Sequence, residues 1–268
     1  MISGYIVEIC AGSLTDCLSA EAVKETDRIE LNCSLELGGI TPSISTLRMA
    51  KELTSKKIIC MVRPRPAGFI YNEYEKETMY KDAAEFLANK ADGIVFGVLK
   101  EDHTVDEEFT MKMTELIHSF GKEAVFHKAF DNTPDPFAAA EALIRCHVDG
   151  VLTSGQKNTT EAGIPLIREL VSRYGKDIEI LPGGGVNEKN AARILKETKA
   201  GQIHMTAKTA LNDDGAYYAV STEQIRKVLE NLRTPSVTKH FTAEDDAMLK
   251  QELYEESMIH YEEDDREN

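Results

Sequence analysis

Short apolar runs that end in polar side chains recur along the chain, at residues 5–10, 28–33, 58–63, 93–97, 124–131, 150–157, 179–182 and 202–205. Between them, apolar residues fall at helical spacing over 14–25, 44–53, 74–87, 109–120, 137–144, 164–174 and 191–195. Strand followed by helix, repeated, predicts a parallel sheet. About eight such strands match an α/β protein of the TIM (β/α)8 barrel class, built as a single domain. The runs are apolar on both faces, as needed when helices cover one side and packed layers fill the other. A doubly wound open sheet is the rival. It is the poorer match because no G-x-G-x-x-G turn follows the first strand.

The 268 residues carry a formal net charge of −15, which argues against nucleic acid or an anionic membrane surface as partner. No apolar stretch approaches the ~20 residues of a membrane span. A charged n-region followed by an apolar h-region is also lacking at the N-terminus, so a cytoplasmic protein is expected. Five cysteines, Cys10, Cys17, Cys33, Cys60 and Cys146, form no C-x-x-C pair. That pattern predicts reduced thiols and neither a disulfide framework nor a structural zinc site.

Acidity concentrates at the C-terminal end, which divides the chain into a barrel over 1–233 and an acidic tail over 234–268. Thr242, Ala243, Glu244 and Asp245 read as a helix start. Met248, Leu249, Leu253, Tyr254, Met258 and Tyr261 could form its apolar stripe, ahead of a disordered Glu-Glu-Asp-Asp end. Such a helix would pack on the barrel or dock on a partner or second subunit.

Candidate chemistry gathers where strands end, because a barrel presents its site at the C-terminal ends of its strands. Side chains alternate faces along a strand, so Glu8 shares a face with Cys10 and Glu30 with Asn32. Two close carboxylates repel unless a cation intervenes, and Arg63 at the end of the third strand is the expected partner of Glu30. His127 and His204 end the fifth and eighth strands, with Asp131 just beyond the first, and these make an acid/base or metal set. Met205 is the alternative inward residue to His204, since a shift of one position exchanges the faces.

Two late loops suggest an anion or sugar-hydroxyl site: Thr153, Ser154, Gly155 and Lys157 after the sixth strand, and Gly184, Gly185 and Asn187 after the seventh. Asn187 is placed to cap the next helix. Cys10 and Cys33, with Cys17 or Met61 nearby, would supply soft donors suited to Cu(I). Ordinary packing is the other use of such residues.

Together these segments resemble the CutC family, long described as copper homeostasis proteins. The resemblance is carried by V-E-I-C (7–10), D-R-I-E-L-N (27–32), G-G-I-T-P-S (38–43), V-R-P-R (62–65), F-G-V-L (96–99), F-H-K-A-F-D (126–131) and V-L-T-S-G-Q-K (151–157). The Gly-Gly-Gly-Val-Asn segment and Ile203-His204 continue it, over roughly residues 1 to 233 in family order. Lys128 stands where the family commonly has Arg, and the acidic tail is not part of the pattern. The resemblance implies a cytosolic TIM barrel, often a homo-oligomer, with a role in copper tolerance or copper binding.

Two functions are therefore carried forward. One is copper handling, with Cu(I) held by the thiolates of Cys10 and Cys33 and with Cys17 as a further candidate. The other is an enzyme acting on a small polar, phosphorylated or sugar-like ligand. There Glu8 or Glu30 would be the acid/base, Arg63 the electrostatic partner, and His127 and His204 proton carriers or ligand contacts.

Overall fold

In the computed structural model, which describes residues 2–233, each apolar run is a strand and each periodic stretch a helix. The order is β1 (Ile6–Ala11), α1 (Leu14–Glu21), β2 (Arg28–Leu31), α2 (Ile44–Leu53), β3 (Lys57–Met61), α3 (Glu73–Ala88), β4 (Gly93–Phe96) and α4 (Glu107–Ser119). It continues with β5 (Glu123–Phe126), α5 (Pro136–Arg145), β6 (Gly150–Thr153), α6 (Ile164–Tyr174), β7 (Glu179–Pro182), α7 (Ala191–Thr198) and β8 (Gln202–Met205). After these come β9 (Lys208–Asn212), β10 (Ala216–Val220) and α8 (Thr222–Arg233).

The first eight strands pair in parallel in the order β7-β6-β5-β4-β3-β2-β1-β8, so the fold is a TIM barrel. Closure is uneven. β1 pairs with β8 over Ile6–Gln202 to Ile9–Met205, whereas β7 meets β8 through the single bridge between Gly183 and His204.

Local chemistry starts the helices. Ser13, Ser43, Asp106 and Asp135 each accept a backbone N–H in the first turn. Asn72 and Glu75 form a reciprocal capping box.

Strand alternation then sorts side chains into two cores. Val7, Ile9, Ile29, Leu31, Ile58, Cys60, Phe96 and Phe126 face outward into the large core beneath the helices. Ile59, Met61, Val95 and Val125 form a separate apolar cluster inside the barrel. Burying each such aliphatic or aromatic side chain contributes roughly 1.5–3 kcal/mol, so the face that a strand turns inward is strongly specified. Inside, beside that apolar cluster, stand Glu8, Cys10, Arg28 and Glu30, all buried.

The antiparallel hairpin β9–β10 departs from the strand-and-helix repeat and was not expected. Its signal was present in Lys-Thr-Ala-Leu-Asn-Asp-Asp-Gly-Ala-Tyr-Tyr, two runs with strand character around an Asp-Asp-Gly turn. Among the described residues no helix is long and apolar enough to cross a membrane. The expected tail helix beginning at Thr242 lies outside the described residues.

Candidate functional site at the barrel mouth

A cavity of about 1210 Å³ opens at the C-terminal ends of the strands. Cys10, Glu30, Asn32, Arg63, His127 and His204 contribute to its wall. The later loops add Lys128, Gly184, Gly185 and Asn187, and the hairpin adds Tyr217 and Tyr218.

Beneath the cavity lies a buried ion network whose centre is Arg28. Its Nε donates to Glu8, one Nη donates to Glu123 at 3.2 Å, and the other donates to Gln202 at 2.8 Å. The second Glu8 oxygen lies 2.7 Å from His204 Nδ1. Burial alone would raise the Glu8 carboxyl, but the Arg28 charge and the His204 ring outweigh it and hold the pKa at about 2. Glu8 is therefore a fixed anion below the cavity and does not itself line it, which leaves it poorly suited to proton transfer.

Glu30 has no such cation. Burial raises its pKa, His204 works against that rise, and the Glu8 charge adds to it. Its carboxylate accepts from Asn32 Nδ2 at 2.7 Å and from the Cys10 thiol at 3.4 Å. Burial, and then the Glu30 charge, push the Cys10 thiol well above its ordinary range. His204 moves the other way: burial lowers it, but Glu30 and Glu8 more than compensate and raise it.

Cys10, Glu30 and His204 each offer a donor atom, and the three lie within 4.8 Å of one another. Because Nδ1 of His204 is held by Glu8, Nε2 is the ring nitrogen left to take a ligand, the usual carboxylate–histidine arrangement behind a metal. His204, and not Met205, is the inward residue, since Met205 belongs to the helix-facing core.

No ion pair joins Arg63 to Glu30. The Arg63 guanidinium instead donates to the carbonyls of Leu37, Gly38 and Gly39 at 3.0–3.2 Å and of Ala67 at 2.7 Å, and it lies over the Phe69 ring. It ties together the loops after β2 and β3. The buried cation is Arg28, which pairs with Glu8 and leaves Glu30 without an arginine partner; it stands two residues before Glu30 on the same strand face, a spacing visible in the sequence.

Cys33 neither lines the cavity with Cys10 nor belongs to the Cys10–Glu30–His204 donor cluster: β2 ends at Leu31 and strand alternation no longer governs its direction. Its thiol donates to the Thr41 carbonyl at 3.1 Å. Cys17 is buried in the outer core.

Asp131 is a clamp. It accepts from the hydroxyls of Thr153 and Ser154 and from the backbone N–H groups of Ser154 and Gln156. This commits Thr153 and Ser154 to the loop itself, and neither they nor Gly155 and Lys157 line the cavity. Gly155, at φ +71, answers a packing need, since a Cβ there would lie 2.5 Å from the Gly163 carbonyl oxygen. Asn187 does line the cavity but caps no helix: α7 begins beyond Asn190, and the Asn187 side chain accepts from Lys189 N within the preceding turn.

The model of the CutC family matches residues 5–209. A CutC family protein of Treponema denticola is 48% identical over 201 residues, covering 75% of this chain and 80% of the relative. The human copper homeostasis protein cutC homolog is 34% identical over 241 residues, 88% of this chain and 87% of the relative. The crystal structure of a copper homeostasis protein CutC of Streptococcus agalactiae superposes with a TM-score of 0.71 at 31% identity, covering 77% of this chain and 99% of that one.

Proposed function

The chain belongs to the CutC family, and from that premise we propose that it handles copper by holding Cu(I) at the barrel mouth through Cys10 and His204, with Glu30 beside them. The observation that carries this reading is the convergence of those three donors within 4.8 Å. Thiolate and imidazole are donors that Cu(I) accepts, and the carboxylate is the harder third member. Glu30 also lies where it can take the proton that Cys10 must release. Free cysteines throughout the described chain fit the reducing cytosol in which Cu(I) would be handled.

Competition against a colorimetric Cu(I) chelator under anaerobic conditions tests the assignment. Cys10→Ser is expected to lose at least about tenfold in affinity, while Cys33→Ser retains the parent value. Affinity should fall with acid, because protons compete for Cys10 and His204. A parent protein that does not compete, or a Cys10→Ser variant that competes equally well, would sink the reading.

A second reading, an enzyme acting on a small polar molecule, is supported by the raised pKa of Glu30 at the cavity wall. Glu30 then takes the acid/base role, since Glu8 is locked by Arg28.

A further inference from the structure

The side of the cavity facing β5 and β7 contains polar groups that neither the copper centre nor the ion network uses. Lys128 lines the cavity and makes no hydrogen bond or ion pair among the described residues. Its ammonium reaches the glycine turn after β7. A Cβ on Gly184 would lie 3.3 Å from Lys128 Nζ and 3.5 Å from Thr160 Oγ1.

Thr160 is fully buried, and its hydroxyl has no partner in the protein. The turn itself requires glycine: Gly184 has φ +129 and Gly185 φ +69, and both line the cavity. A side chain at 184 would occupy the space between the ammonium and the hydroxyl.

His127 adds a second unmet group next to Lys128 in the chain. It is 3% exposed and lines the same cavity. Its Nδ1 accepts from Ala129 N at 3.1 Å. Burial and the Arg63 charge depress its pKa to about 3. The ring is therefore neutral, with its proton on Nε2, and that N–H is buried without an acceptor. Buried polar groups are rarely left unmatched, and those that are point to something that completes them.

We infer that this wall is a subsite for the phosphate group of a small phosphorylated organic molecule, held by the Lys128 ammonium against the Gly184–Gly185 turn, with the His127 Nε2–H as the neighbouring donor. Phosphate fits this wall because a lysine binds as a point charge and a glycine turn lets backbone come close to phosphate oxygens. A planar carboxylate would instead favour the two-pronged grip of an arginine, and the Arg63 fork is already filled by carbonyl groups. Glu30 and Cys10 stand on the β1–β2 side of the same cavity. This subsite extends the second reading given above and does not depend on copper.

The test uses inorganic phosphate and ribose 5-phosphate as probes on the metal-free full chain, with binding followed by calorimetry and ribose as the uncharged control. The parent protein is expected to bind both phosphates and not ribose. Lys128→Met should weaken them at least about tenfold, the loss expected for one charge-assisted contact. Lys128→Arg should recover most of the affinity if positive charge is what matters, and unchanged melting temperatures would show that both variants fold. Equal binding by parent and Lys128→Met, or no phosphate binding by the parent, overturns the subsite. Glu30→Gln separates the two ideas: it should leave phosphate affinity intact, so a failed subsite leaves open a role for Glu30 on an unphosphorylated molecule.

Discussion

Replacing Arg28 with methionine is expected to lower the stability of the fold by about 3–5 kcal/mol at neutral pH, because it strands Glu8 as an uncompensated charge inside the barrel. Glu8 and Arg28 are both almost fully buried, so water cannot take over the role of the guanidinium. Methionine keeps much of the bulk and removes the charge and its donors. The loss therefore reports electrostatics more than a cavity.

The pH dependence gives the sharper signature. The folded pKa of Glu8 is about 2, against 4.5 for the unfolded group. The folded state thus binds fewer protons, and the stabilisation is complete above pH 4.5 and disappears as pH falls toward 2. His204 has the opposite sign. Its raised folded pKa gives stabilisation that is present below 6.5 and lost as pH rises through the raised value. In the Arg28 variant the acid-side loss should shrink, since burial then dominates at Glu8, while the alkaline loss persists. Urea melts from pH 2.5 to 8 would show this. Parallel curves for the two proteins would mean that Arg28 does not set the charge of Glu8.

Arg63→Met is expected to be costly for a different reason, at about 1–3 kcal/mol. Four backbone carbonyls from two loops converge on that one guanidinium; removing it strands the carbonyl of buried Gly39 and unties the exposed Leu37, Gly38 and Ala67 from one another. The acid-side behaviour of Glu8 should be unchanged, because no contact joins it to Arg63. Limited proteolysis should cut first within residues 34–43 or 62–72. A variant that resists cleavage like the parent and melts at the same urea concentration would show that these carbonyls find other partners.

The contrast between the two arginines shows how far the chain could be read in advance. The barrel was legible because its strands are short apolar runs, continuous on both faces and separated by stretches of helical periodicity. Glu30, His127 and His204 were legible as mouth residues because each lies within or directly after such a run. Arg28 carried an equally readable signal, its two-residue spacing from Glu30, but it stands at the start of a strand, where attention to strand ends does not look. Arg63 and Cys33 lie beyond the last laddered residue of their strands, and there loop path, not alternation, sets direction. Thr153, the last residue of β6, and Ser154 after it have hydroxyls that look available until Asp131, more than 20 positions earlier, folds against them. Sequence spacing does not reveal which of two nearby polar groups will consume the other.

The incomplete pairing of β7 with β8 gives the barrel a direction of weakness. Every other pair of neighbouring strands shares a ladder, but here the top is joined by the Gly183–His204 bridge and the bottom by the Gln202–Glu179 side-chain bond. Backbone amides along this line have fewer partners to lose before they meet solvent, so deuterium should enter there ahead of β1 to β4. Breathing along it would shift the glycine turn against His204, altering the spacing between the two walls of the mouth while the paired strands on the far side stay closed.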